Sequence, residues 1–299
     1  MSVVEQLDQR IANNEVLLID GGMGSELEAR GVPMDHEAWC GLANVEQRDV
    51  VRQIHEDYIR AGADVILTNT YPTNRAALEA AGAGDRVREI NRSAVEIALE
   101  ARERAADGPT AVAGSMSIWG FYNPDDPPAL DPVKMLEIYR EQASILAEAG
   151  VDLIVLEMFA SFWPEGLQAA SETGLPVWLG VWADLAPDGT PTAFLPDRPL
   201  EEELPDLLGP GVTAVTLMHS TLESIVPALE VVARLWNGPR GAYPHVGEFE
   251  RPRWVFHDIA PDDFATEAQR WVDQGAQLAG GCCGIGPQHI AAVRERLLD

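Results

Sequence analysis

The chain has 299 residues, 46% of them apolar, and a formal net charge of −27. That apolar share supports a large core and excludes global disorder. So acidic a surface denies nucleic acid and anionic membranes the basic footprint they require. Only Lys134 among the 21 basic residues is a lysine, and the three cysteines argue against a disulfide framework and for a reducing compartment. Met1-Ser2-Val3-Val4-Glu5-Gln6 has neither the basic nor the apolar part of a signal peptide. No apolar run approaches the roughly 18 residues of a membrane span. A soluble, cytoplasmic protein is expected.

Short apolar runs alternate with amphipathic stretches along the chain. Val16–Asp20 reads as a first strand, followed by a helix over Val45–Ala61 and a second strand over Asp64–Thr70. A long helical pattern covers Arg75–Ala106, then strand Ala111–Ser115, helix Pro132–Ala149 and strand Asp152–Glu157. Helix Pro164–Glu172, strand Val177–Val181, helix Glu201–Leu208 and strand Ala214–Met218 come next. Helix Leu222–Leu235, a short strand over Gly241–Pro244, helix Asp262–Gln274, strand Ala276–Gly280 and helix Pro287–Leu298 close the series. Pro132 and Pro287 suit first helical turns, and Gly150 and Gly275 lie just past helix ends. Eight strand–helix units predict an α/β fold, a single (β/α)8 TIM barrel spanning residues 1–299 as one domain.

In such barrels chemistry sits at the C-terminal ends of the strands. Those positions hold Asp20, Thr68-Asn69-Thr70-Tyr71, Glu157, His219 and Cys282-Cys283. Adjacent cysteines pair poorly with each other, but two crowded thiolates suit a soft cation such as Zn²⁺. The competing reading is two small residues packed at a strand end. Asp20 and Glu157 each follow an apolar run, where an unpaired charge is costly. They either cap loops and pair with arginines, or together receive a cationic group such as an α-ammonium.

Four stretches carry a resemblance to the homocysteine S-methyltransferase family. They are Asp20-Gly21-Gly22-Met23-Gly24-Ser25-Glu26-Leu27, then Ile54-His55-Glu56-Asp57-Tyr58 with Thr68-Asn69-Thr70-Tyr71. Gly150-Val151-Asp152 through Glu157 and Gly280-Gly281-Cys282-Cys283-Gly284 complete the set. The resemblance implies a zinc-dependent barrel that methylates the sulfur of homocysteine to give methionine. Its partners would be a small-molecule thiol acceptor and a methylated onium donor, and an oligomer is compatible with it. Carried onto this chain, it implies Zn²⁺ held by His219, Cys282 and Cys283. It also implies substrate contacts from Asp20, Thr70 and Glu157, with no catalytic residue beyond the metal site.

The family's third cysteine is His219 here, in Thr216-Leu217-Met218-His219. Two thiolates, an imidazole and a substrate thiolate leave zinc at −1 instead of −2. The acceptor sulfur is then held more tightly and is a weaker nucleophile. A core role for His219 stays open at this point. Cys40 matches no family ligand and reads as packing. The rim segments Tyr243-Pro244-His245-Val246-Gly247, Glu157-Met158 and Ser115-Met116-Ser117-Ile118-Trp119 all depart from the family pattern. A chain of this length leaves no room for cobalamin or folate modules, so S-methylmethionine leads as donor and betaine follows. Trp119, Trp163, Trp178 and Trp182 fall near strand ends, where each either faces an onium group or packs the barrel. The alternatives are a family member with another acceptor or donor, a zinc hydrolase, and a zinc-binding barrel without turnover.

Overall fold

The computed structural model describes residues 1–121, 131–159, 164–193, 198–250, 253–255 and 257–298. Eight parallel strands form one sheet: β1 (Leu17–Leu18), β2 (Val65–Leu67), β3 (Ala111–Ser117), β4 (Leu153–Glu157), β5 (Val177–Val181), β6 (Val212–Met218), β7 (Arg240–Tyr243) and β8 (Leu278–Ala279). Each pairs with its sequence neighbour, and β8 pairs back onto β1 through Leu17–Leu278 and Leu18–Ala279. A parallel bridge between Ile19 and Val65 closes the ring. The structure is the predicted (β/α)8 barrel.

The strands sort their residues by the two-residue period of a pleated strand. Leu17, Ile19, Val65, Ala111, Ala113, Leu153, Val155, Trp178 and Met218 pack together inside the barrel. Leu18, Ile66, Val112, Ile154, Leu156, Leu179 and Val215 face the helices. Both faces are covered, which is why these strands read as unbroken apolar runs and not as alternating ones.

Helix ends carry the expected caps. Asp131 accepts from the Val133 N–H ahead of Pro132, and Gly150 ends helix Pro132–Ala149 at φ 102°. The expected helix Arg75–Ala106 is two helices, Arg75–Ala80 and Val87–Ala105, because Gly82 turns left-handed at φ 71° between them. The expected Val45–Ala61 likewise divides into Ala43–Glu46 and Arg48–Arg60.

Sequence periodicity missed helix Val3–Ala12, which starts with a capping box between Ser2 and Glu5. Its Leu7 and Ile11 pack with Leu17, Val65 and Ala111 beneath the barrel interior. Arg10 ties it to Asp64 at the entry to β2, at 2.5 Å, and Gln277 before β8 donates to the Ile11 carbonyl oxygen. It therefore covers the N-terminal end of the barrel. Short antiparallel pairs, Asp184–Leu185 with Pro191–Thr192 and Glu248–Glu250 with Arg253–Val255, decorate the connections after β5 and β7.

Candidate metal centre

The loop after β8 is fixed by its own backbone. The Gly281 N–H donates to the Asp20 carbonyl oxygen at 3.0 Å, Cys282 to Pro244 at 2.8 Å, and Ile285 to Cys282 at 3.1 Å. The buried Tyr58 hydroxyl donates to the Ile285 carbonyl oxygen at 2.9 Å, and Gly22 N–H reaches the same oxygen. Close approach of the β1 and β8 loops requires glycine at two points. A Cβ on Gly22 would stand 2.7 Å from the Cys282 carbonyl oxygen, and one on Gly280 would stand 2.7 Å from that of Ile19. The glycines of both motifs thus serve one joint, which presents the Cys282 and Cys283 side chains at the mouth.

His219 follows β6 and meets them there. Its Nδ1 lies 3.7 Å from the Cys282 Sγ, and the two sulfurs are 3.9 Å apart. Among the described residues these three form a group whose ligand atoms all lie within 4.8 Å of one another. The Cys283 thiol and burial both push the Cys282 thiol up, while His219 pulls it down. His219 itself is left-handed at φ 47°, as is Met158 after β4 at φ 60°. Such conformations cost about 1–2 kcal/mol for a residue with a Cβ and persist only where the surroundings impose them. Both lie one residue past a strand, on the rim.

The two carboxylates stand on the same rim. Asp20 is 3% exposed, and its Oδ2 accepts the Leu67 N–H at 2.9 Å, which joins the ends of β1 and β2. Glu157 is 5% exposed, accepts from the Ser115 hydroxyl and faces Tyr243. Burial pushes the Asp20 carboxyl well above the usual carboxylate range, and the nearby Glu157 charge adds to this. Burial pushes Glu157 up to about 7, with Ser115 and Tyr243 pulling the other way. Neither carboxylate has an arginine among its hydrogen-bond or ion-pair partners among the described residues. Among the described residues, the reading of a loop-capping ion pair therefore finds no arginine to complete it.

Thr70 is fully buried, and its hydroxyl donates to the Ser115 carbonyl oxygen at 2.6 Å beside the Thr68 hydroxyl at 2.8 Å. It holds the β2 end against β3 and has committed its donor. Cys40 lies buried, its thiol donating to the Asn69 Oδ1 at 3.0 Å, apart from the other two cysteines. Trp178 points into the barrel core, and Trp182 is half-buried against the cluster that faces the helices. Trp163 lies outside the described residues.

Trp119 does sit at the mouth, in company the sequence did not announce. It stacks on Trp39 with centroids 5.8 Å apart, and Tyr71 stands 5.9 Å from Trp119 and 6.4 Å from Trp39. All three are half-buried. Trp39 escaped sequence reasoning because its partners are distant in the chain. The left-handed turn at Trp39 (φ 43°) would have been the local clue, but a tryptophan carries no signature of it.

Residues 17–297 match the family model described as homocysteine S-methyltransferase. The chain is 30% identical over 317 residues to the homocysteine S-methyltransferase of Escherichia coli (strain K12), covering 99% of this chain and all of that one. It is 27% identical over 318 residues to a selenocysteine Se-methyltransferase of Brassica oleracea var. italica, covering 94% of this chain and 89% of that one. Among solved structures it resembles the metallated form of the homocysteine methyltransferase MmuM from Escherichia coli. That match has a TM-score of 0.78 and 27% identity, and covers 97% of this chain and 99% of the other.

Proposed function

The chain belongs to the homocysteine S-methyltransferase family, and from that premise we propose that it transfers a methyl group from a sulfonium such as S-methylmethionine to the thiol of homocysteine. Zinc would be held by His219, Cys282 and Cys283. One observation carries this reading. A tetrahedral ion with bonds of about 2.3 Å to sulfur and about 2.0–2.1 Å to nitrogen holds two sulfurs about 3.8 Å apart, and sulfur and nitrogen about 3.6 Å apart. The Cys282 sulfur stands 3.9 Å from that of Cys283 and 3.7 Å from His219 Nδ1, and all three ligand atoms lie within 4.8 Å of one another. Three protein ligands leave a fourth position open, the pattern of catalytic and not structural zinc.

Bound zinc supplies a site where the acceptor sulfur is a thiolate at neutral pH. The chain's own residues do the rest. Asp20 and Glu157, buried on one rim without a basic partner among the described residues, receive the α-ammonium of the acceptor. Its positive charge lowers both carboxyl pKa values, so they ionise as it binds. Thr70 sets the rim on which Glu157 stands by fixing Ser115, Glu157's hydrogen-bond donor. Trp39, Tyr71 and Trp119 give a cationic donor electron-rich ring faces and keep water from it. Held in line, the methyl group passes directly from the onium to sulfur, and no general base is needed at that moment.

The same ring cluster suits a quaternary ammonium, so betaine is the second donor to test. The assay pairs zinc-loaded protein and homocysteine with each donor and follows methionine. Formation of methionine from S-methylmethionine is expected. No methionine from any onium donor would overturn the reading and leave a barrel that binds metal without turnover.

A further inference from the structure

The segment Pro244–Val246 touches every one of the proposed ligands or its neighbour. Pro244 accepts from the Cys282 N–H at 2.8 Å, the Val246 N–H donates to the Cys283 carbonyl oxygen at 2.9 Å, and the His245 N–H donates to that of Ser220 at 3.1 Å. The His245 side chain lies in the middle of this brace. Its ring centroid is 4.4 Å from that of His219, with the planes tilted by 43°. At 8% exposure it is part of the wall and not a surface group.

His219 needs such support twice over. Its backbone is left-handed, a state that only the surroundings can impose on a residue of this size. Its ring must also stand in one plane for Nδ1 to face the Cys282 sulfur. Histidine ligands are ordinarily oriented by an outer partner, and loss of that partner weakens metal binding. His245 packs its ring against that of His219, and its own N–H holds the carbonyl oxygen of Ser220, the next residue in the turn. It does not itself belong to the group of ligand atoms that lie within 4.8 Å of one another. We propose that His245 is the positioning residue for His219, holding its left-handed turn and ring plane so that the imidazole completes the site begun by the two cysteines. The inference rests on reading those three residues as a metal centre.

The test titrates metal-free protein with Co²⁺, read by its visible spectrum, and measures Zn²⁺ affinity by competition with a chromophoric chelator. His245→Ala is expected to keep the sulfur-to-cobalt charge-transfer band, since both thiols remain. Its ligand-field bands should shift, and zinc affinity should fall about 10- to 100-fold. Because His245 acts through His219, the double variant His219→Ala/His245→Ala should bind no more weakly than His219→Ala alone. Should His245→Ala fail to fold by circular dichroism, His245→Asn is judged by the same criteria. Parent-like spectrum and affinity overturn the proposal, and so does a double variant that loses the sum of the two single losses. In that second case His245 binds metal on its own account. A parent protein that takes up neither Co²⁺ nor Zn²⁺ overturns the metal reading, and the proposal with it.

Discussion

The Tyr71 hydroxyl donates to the Sδ of Met158 at 3.0 Å, joining the end of β2 to the left-handed residue that follows β4. The bond anchors one ring of the Trp39–Tyr71–Trp119 cluster to the rim that carries Glu157. The ring cluster proposed for the donor and the carboxylate proposed for the acceptor are therefore built on one strut.

The two halves should still separate kinetically. Cation–π attraction of about 0.5–2 kcal/mol corresponds to roughly 2- to 30-fold in affinity. Trp39→Ala and Trp119→Ala are each expected to raise the KM for the onium donor by that order while leaving the KM for homocysteine nearly unchanged. Steady-state kinetics with each substrate varied in turn make the comparison. Equal effects on both substrates would mean the rings only hold the mouth together.

Asp20→Asn and Glu157→Gln should do the reverse, raising the KM for homocysteine severalfold or more with little effect on the donor. Glu157 adds a pH signature. Burial pushes its carboxyl up to about 7, so near neutrality a fraction is protonated and must lose that proton to bind an ammonium. Acceptor affinity should fall as pH drops from 7.5 to 5.5. Calorimetry in buffers of different ionisation heat should show proton release on binding near pH 7. No proton release, together with unchanged kinetics in both variants, places the ammonium elsewhere.

His219→Cys restores the thiolate set the family resemblance implies and adds one negative charge. The bound acceptor sulfur becomes more basic and more nucleophilic. The variant should retain zinc by metal analysis and turn over at least as fast as the parent. Zinc retained with all activity lost would show that the imidazole has a task besides ligation. Cys282→Ala and Cys283→Ala, by contrast, should each lose most of their zinc, and full retention in both removes the site.

His55 offers a test of stability away from the mouth. It is fully buried in helix Arg48–Arg60, neither ring nitrogen has a hydrogen-bond partner among the described residues, and burial lowers its pKa to about 3. The unfolded chain's histidine takes up a proton near pH 6.5 while the folded one stays neutral. The proton-linked cost of His55 is therefore absent above that pH and grows as pH falls from 6.5 toward 3. The raised Asp20 and Glu157 carboxyls act oppositely over the same range, so the parent's own pH curve mixes the effects. The difference between His55→Leu and the parent isolates one of them. The variant's Tm advantage should grow between pH 7.5 and pH 5, and a constant difference would disprove the assignment.

The barrel was legible because each strand is covered on both sides and so appears as a plain apolar run, with its chemistry displayed at the end. Asp20 and Glu157 stood out for the same reason: a carboxylate closing such a run has no cheap explanation. Cys282 and Cys283 were visible as a pair, and His219 became meaningful only once the order of the motifs supplied a place for it. Thr70 was legible as a rim residue, but its hydroxyl's commitment to Ser115 was not, since that partner lies 45 residues on. Trp39 was illegible at the rim, and His245, legible as a rim residue, gave no sign of its partner, for a related reason. Trp39 stacks on Trp119 and His245 faces His219, and neither pairing leaves a trace in local spacing. Gly82 broke a long helical pattern that periodicity alone carried straight through.

Helix Val3–Ala12 turns the barrel from a tube into a cup. With Leu7 and Ile11 seated under the interior and Arg10 fastened to Asp64, the floor is shut, and traffic is confined to the end that bears the cysteines. Two substrates and two products must share that one doorway. On the proposed function, an acceptor held at the carboxylates and thiols would be walled in by a donor lying over it against the rings. Such a layout favours acceptor first in and, once the spent donor has left, methylated product last out.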